Sequence, residues 1–188
     1  MPQYRRAIVP GGTFFFTIVT HQRKPIFSKD KATRMLGSII RKCQSTWPME
    51  IHAIVLLPDH WHVLISLPPN DFDYSKRIAW IKRTFTRNWL LNGGTELPIS
   101  EGKRRQRRRG VWQPRFWEHL IDDTDEFDAY FDYIHWNPVK HGLVDSPSDW
   151  PHSSFHRWVT RNVYPRNWGR GSLCPESVKA IITNPGEP

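Results

Sequence analysis

Cysteine is nearly absent from this 188-residue chain, which holds only Cys43 and Cys174. Two thiols make neither a disulfide framework nor a cysteine-only zinc site. The fold must therefore rest on an apolar core, and a reducing, cytoplasmic setting is expected. Long apolar runs are also missing. No segment approaches the ~20 consecutive apolar residues of a membrane span. The opening MPQYRRAIVPGG lacks the apolar stretch of a secretion signal. No phosphate-binding glycine loop occurs, and no internal repeat. Acid is scarce: 18 Asp and Glu stand against 27 Lys and Arg, a net charge of +9.

What is present begins with core-forming material. The hydrophobic fraction is 38%, with ten Trp and ten Phe, enough for one domain over residues 1–188. The excess charge is concentrated. The run KRRQRRR, Lys103 to Arg109, holds six cations and no anion, and without it the chain has 21 basic residues against 18 acidic. Such a block suits a polyanion, nucleic acid first.

Patterning predicts the elements. TFFFTIVT, Thr13 to Thr20, is aromatic and β-branched and reads as a strand. Lys29 to Trp47 carries Met35, Leu36, Ile39, Ile40 and Cys43 at helical spacing, with Ser28 or Asp30 as its cap. Ile51 to Leu57 reads as a central strand. A break at Pro58-Asp59 precedes a second strand over His62 to Leu67, its hairpin partner. Tyr74 to Leu91 is a basic helix with the apolar stripe Ile78, Ile81, Phe85, Trp89; Lys76, Arg77, Lys82, Arg83 and Arg87 fill its other faces. Asn92 to Gly110 reads as a mobile basic loop, because like charges repel and nothing apolar anchors it. A strand over Arg115 to Ile121 and a helix over Asp123 to Trp136, ended by Pro138, follow. This order is that of a ferredoxin-like antiparallel α+β fold with an extra helix. Residues 145–188 form a C-terminal extension.

The stretch LLPDHWHVLI, Leu56 to Ile65, raises the question of chemistry. Strand residues alternate faces, so Trp61, Val63, Ile65 and Leu67 point to the core and His60, His62, Leu64 and Ser66 to the other side. The imidazoles then lie roughly 7 Å apart along the strand, close enough to chelate one ion or simply to be two histidines of surface or core. On the last helix Tyr133 and Asn137 are four residues apart and therefore neighbours, on the flank of the Phe127, Phe131, Ile134 stripe. An amide oxygen suits a hard divalent ion and imidazole accepts Mn²⁺. The bland alternative for Tyr133 is an amphipathic residue at a core edge.

LPDHWHVLI resembles the histidine–hydrophobic–histidine signature of HUH nucleases. YRRAIVPGGTFFFTIVT, VWQPRFWEHLI, DYIHWNPVKHGLV and SDWPHSSFHRW together resemble the REP-associated tyrosine transposases. The resemblance runs from Tyr4 to about Gly169; the long basic insertion before VWQPRFWEH departs from it. It implies an HUH-type ferredoxin-like fold and a monomeric, nucleoid-associated single-strand DNA endonuclease and strand transferase acting at REP-type hairpins. It further implies Tyr133 as the nucleophile that forms a 5′-phosphotyrosine, with His60, His62 and Asn137 holding Mg²⁺ or Mn²⁺. DNA contacts are expected from Arg5, Arg6, Lys82, Arg83, Lys103, Arg104, Arg105, Arg107, Arg108, Arg109 and Arg115; Trp112, Phe116 and Trp117 are either stacking surfaces for unpaired bases or core residues. Two rival readings are a hairpin-binding protein that no longer cuts and a zinc hydrolase using His60, His62 and His119.

Overall fold

The computed structural model describes residues 8–171 and 174–182. A four-stranded antiparallel sheet lies at its centre, in the order β2-β3-β1-β4. The strands are β1 (Thr13–Val19), β2 (Glu50–Leu56), β3 (His60–Ser66) and β4 (Trp117–Leu120), and the long helices are α1 (Asp30–Thr46), α2 (Tyr74–Leu91) and α4 (Thr124–Lys140). This is the ferredoxin-like arrangement that the sequence pattern predicts. The shorter helices are α3 (Glu101–Arg105), α5 (Phe155–Thr160) and α6 (Glu176–Ile182).

Alternation along the strands builds two cores. Phe14, Phe16, Ile18, Trp61, Val63 and Ile65 pack under α1 and α2. Phe15, Ala53, Val55 and Leu64 pack under α4. The sheet is thus apolar on both faces, with a helical layer over each. The stripe of α2 is buried as expected, but Arg77 is buried with it. Its guanidinium donates to Asp71 Oδ2 at 2.6 Å and the Pro48 carbonyl at 2.8 Å. It staples the start of α2 to the turn after α1 and does not reach solvent.

Several boundaries differ from expectation. β3 begins at His60, which puts both histidines inside the ladder. α1 takes Lys29 as its N-cap without a side-chain hydrogen bond, so neither Ser28 nor Asp30 caps it. A short helix, α3, stands in the segment expected to be all loop. That segment is tied at its ends: Arg109 forks onto Glu96, and the Leu97 amide donates to the Gly110 carbonyl at 2.9 Å. Pro138 does not end α4, which continues to Lys140. Proline costs a helix one hydrogen bond, but here only the last turn bears the loss. The stop comes instead at Gly142, whose φ of +64° is the left-handed geometry of a helix C-terminus.

The chain after α4 returns along β2, the edge strand. Val55 bridges to Ser153, and the Leu56 amide donates to the His152 carbonyl at 2.9 Å. The indoles of Trp150 and Trp158 donate to the Leu56 and His52 carbonyls at 3.0 and 2.9 Å. This segment covers an edge that would otherwise invite pairing with another chain.

Candidate active site

β3 delivers the histidines. Trp61 and Val63 take the α1/α2 side, so His60 and His62 take the α4 side with Leu64. Their ring centroids are 4.9 Å apart and the rings nearly perpendicular at 83°. Each Nδ1 is engaged from behind. His60 Nδ1 donates to Asp59 Oδ1 at 2.5 Å, and His62 Nδ1 lies 2.9 Å from Thr17 Oγ1 on β1. Fixing Nδ1 in this way makes Nε2 the nitrogen each ring can offer a metal.

The electrostatics suit that role. Burial alone would raise the Asp59 carboxyl, but the His60 ring and the Arg23 guanidinium outweigh it and hold the group down to about 2. Asp59 therefore stays an anion behind His60. Burial, and then the charges of His60, Lys140, His141 and Arg23, push His62 well below the ordinary imidazole value. It remains neutral near pH 7, as a metal-binding imidazole must be.

α4 supplies the other half. Tyr133, Asn137 and His141 recur every four residues and share one helical face. The Tyr133 ring is 5.6 Å from that of His62, and the His141 ring is 5.1 Å from that of His60. Asn137 stands between Tyr133 and His141 on that face. Tyr133 and Asn137 are both 0% exposed, deeper than the stripe-flank position expected of them. Lys140 Nζ donates to Tyr133 Oη at 2.7 Å and lies 4.6 Å from its ring centroid. Phe15 packs against both the His62 and Tyr133 rings.

Asn137 shows what the site can hold. Its Oδ1 and Nδ2 are both shut off from solvent with no hydrogen-bond partner. An unsatisfied buried polar group costs about 1–3 kcal/mol, which core packing has no reason to tolerate. Among the described residues no group of three or more His, Cys, Asp or Glu side chains is disposed to hold a metal. An ion at the histidine pair therefore needs a ligand of another type, and the amide oxygen of Asn137 fits a hard divalent ion. His119 does not join this set: it bonds Glu126 Oε1 at 2.5 Å and stacks on Trp117, and in register it faces Phe15.

Four residues of the site escaped the sequence reading: Thr17, Asp59, Lys140 and His141. Asp59 is adjacent to His60. Lys140 and His141 fall seven and eight residues after Tyr133, on its face, but a helix ended at Pro138 hides them. Thr17 has no sequence signal, because it reaches His62 only through strand pairing.

The expected DNA-contact residues are dispersed. Arg83 and Arg115 are exposed, as is the whole of 103–109. Arg105 is paired with Glu101 at 2.7 Å and Arg109 with Glu96 at 2.7 Å. Lys82 is half-buried, donating to the Gln113 carbonyl at 2.7 Å. Arg5 and Arg6 lie outside the described residues. Trp112 is a core residue against Phe27 and Phe85, 6% exposed, and offers no stacking face. Phe116 and Trp117 are half-buried.

A histidine pair on the central sheet thus meets a tyrosine from the last long helix, and comparison with known proteins gives the family. The chain belongs to the IS200-like transposase family, whose description matches residues 12–137. Within it the chain groups with the REP-associated tyrosine transposases. It is 40% identical over 168 residues to the Escherichia coli protein of that name, covering 89% of this chain and 91% of the relative. A Haemophilus influenzae candidate for the same group is 42% identical over 174 residues, 90% of this chain and 94% of its own. A solved REP-associated tyrosine transposase bound to a REP hairpin superposes with a TM-score of 0.74 at 37% identity, over 94% of this chain and 96% of that one. Among the described residues no helix is long and apolar enough to cross a membrane.

Proposed function

We propose that this transposase cuts and rejoins single-stranded DNA at REP-type hairpins through a covalent link to Tyr133. The observation that carries the reading is the single face of α4 on which Tyr133, Asn137 and His141 meet His62 and His60. The solved relative in complex with a REP hairpin supports the choice of substrate.

Tyr133 Oη attacks the scissile phosphorus and forms a phosphotyrosine bond as the P–O3′ bond breaks. The phenolic proton is lost and the departing 3′ oxygen takes one up, so the step is proton-neutral. Lys140, on the Tyr133 oxygen, places a positive charge beside the attacking atom and the incoming phosphate. His60, His62 and Asn137 would hold a divalent ion, Mg²⁺ or Mn²⁺, which would supply positive charge to the phosphate under attack. Thr17 and Asp59 hold the two rings in the tautomer this requires. The ester keeps the free energy of the broken bond, so a 3′-OH attacking it restores a phosphodiester without ATP. All these groups come from one chain, and the protein acts as a monomer in this reading.

The test is a covalent-adduct assay on end-labelled hairpin DNA with Mg²⁺ or Mn²⁺. Wild type gives a protein–DNA band stable to denaturation, and Tyr133→Phe gives none while still binding the hairpin. Equal bands from the two proteins, or none from wild type with either ion, would reduce the chain to a hairpin-binding protein.

A further inference from the structure

A groove opens behind the histidine pair, on the opposite face of β3. The chain after α4 returns along β2, where the Ser154 amide donates to the Ile54 carbonyl at 2.8 Å. Between this returning segment and α1 lies an open space of about 320 Å³. Its apolar surface is Leu36 and Ile40 from α1, Ile54 and Leu56 from β2 and Trp61 from β3. Trp61 falls between His60 and His62 in the chain but packs on the α1 and α2 side of the sheet. The groove therefore backs onto the active site and shares no side chain with it.

Two features call for an occupant. The first is Trp61 itself. It is 1% exposed, and its indole Nε1 is shut off from solvent with no hydrogen-bond partner. An indole N–H can only donate, and a buried donor is normally met by an acceptor. The second is Gly37, which lies in the middle of α1 and in the lining of the groove. Glycine weakens a helix interior. Beyond the backbone of its own helix, a methyl group there would meet the Arg41 guanidinium at 3.6 Å and nothing nearer. Packing within the fold does not require the missing side chain. What glycine secures is width beside Leu36 and Ile40.

Charge then decides the class of ligand. No Asp or Glu lines the groove, whereas Arg157 does. Arg157 donates to the Ile51 and His52 carbonyls at 3.0 and 2.7 Å, so the oxygens it meets are neutral. Arg41, beside Gly37, likewise donates to a neutral oxygen, Ser38 Oγ at 3.2 Å. Two guanidiniums at an apolar floor complement an anion with an apolar body. The volume is at the small end of ligand pockets. We propose that the groove between α1 and residues 151–157 binds a small amphipathic carboxylate. Its apolar body lies on Leu36, Ile40, Ile54 and Leu56, an oxygen acceptor meets the Trp61 indole, and the carboxylate faces Arg41 and Arg157. This site is independent of the reading of the chain as a nuclease and stands or falls without it.

The test is proton–nitrogen NMR on the full chain, reading the indole N–H signals of its ten Trp residues, with N-octanoylglycine as the probe. Trp61→Phe assigns the Trp61 signal by removing it. In wild type that signal moves downfield and saturates as the donor gains an acceptor. No movement at the solubility limit of the probe would overturn the proposal. Gly37→Leu sends a side chain into the groove from a residue that favours helix. Its probe affinity falls about tenfold or more, while its other indole signals keep their wild-type positions. Equal affinity in this variant would put the probe elsewhere and refute the groove. The methyl ester of the probe keeps the apolar body and the acceptor and loses the charge. It binds wild type about fivefold more weakly than the acid, and the double variant Arg41→Ala, Arg157→Ala erases that difference. An ester that binds wild type as tightly as the acid would overturn the assignment to an anion, whatever the Gly37 variant does. A Trp61 signal that shifts with protein concentration alone would give the groove to a second copy of the chain and also overturn the proposal.

Discussion

The two faces of the sheet are built from different materials. On the α4 face, Tyr133 and Asn137 are fully buried and the polar contacts are few and specific. On the α2 face, cations are numerous and mostly exposed, with Arg105 and Arg109 paired to Glu101 and Glu96. Chemistry on a phosphodiester needs charge fixed in a dry place, where it acts at full strength. Capturing a polyanion needs many weak, redundant contacts. Single substitutions on the α4 face should therefore be severe and specific, and those of the α2-face cations mild and additive.

The sharpest test is Asn137→Leu. It removes both unsatisfied amide atoms at similar volume, so adduct formation falls at least ~100-fold while the melting temperature holds or rises by a few degrees. A large loss of stability with activity retained would make Asn137 a packing residue. Next is Thr17→Val, which deletes the hydroxyl behind His62 and keeps the shape. Metal affinity, read by titrating Mn²⁺ against adduct rate, drops about 10–100-fold. An unchanged Mn²⁺ requirement would show that Thr17 does not orient the ring. Lys140→Met follows, slowing adduct formation about tenfold at saturating DNA with affinity little altered. If affinity carries the whole effect, Lys140 belongs with the capture cations. Single changes on the α2 face such as Arg107→Ala or Arg108→Ala cost two- to fivefold in hairpin affinity at low salt and nothing in rate at saturation. A greater-than-tenfold loss from one of them would break the contrast between the faces.

A separate prediction concerns stability and pH. Burial holds the His135 pKa down to about 3, and its ring sits between Ser154 and Tyr164. Below the unfolded value near 6.5 the unfolded chain binds a proton that the folded chain does not. Stability therefore falls on acidification between about pH 6.5 and 3, by about 1.4 kcal/mol per pH unit for this group. Urea unfolding at pH 7 and pH 5 measures the slope, and His135→Gln makes it shallower. An identical slope in the variant would assign the acid sensitivity elsewhere.

How much of this was readable in the sequence depends on how local each signal is. The strand of three phenylalanines, the α2 stripe and the order of elements follow from period-two and period-3.6 patterning, and the antiparallel α+β fold they imply is the one found. That His60 and His62 share a strand face and Tyr133 and Asn137 a helix turn was legible because these are local rules, while their roles came only from the resemblance. Lys140 and His141 were lost to one assumption, that Pro138 ends the helix. Arg77 was read as a surface residue because a basic helix looks solvent-facing until tertiary packing buries one of its cations, and for Trp112 the sequence left base stacking and core packing both open. The opposition of Tyr133 to His62 and of His141 to His60 could not be read, since it arises only when α4 crosses the face of β3.

The convergence at the histidine pair can be tested directly by crystallising the protein with Mn²⁺ and locating the ion by its anomalous scattering. A peak bound by Nε2 of His60, Nε2 of His62 and Oδ1 of Asn137, with Tyr133 Oη beside it, is expected. A peak elsewhere, or an Asn137 side chain turned away from both imidazoles, would contradict it.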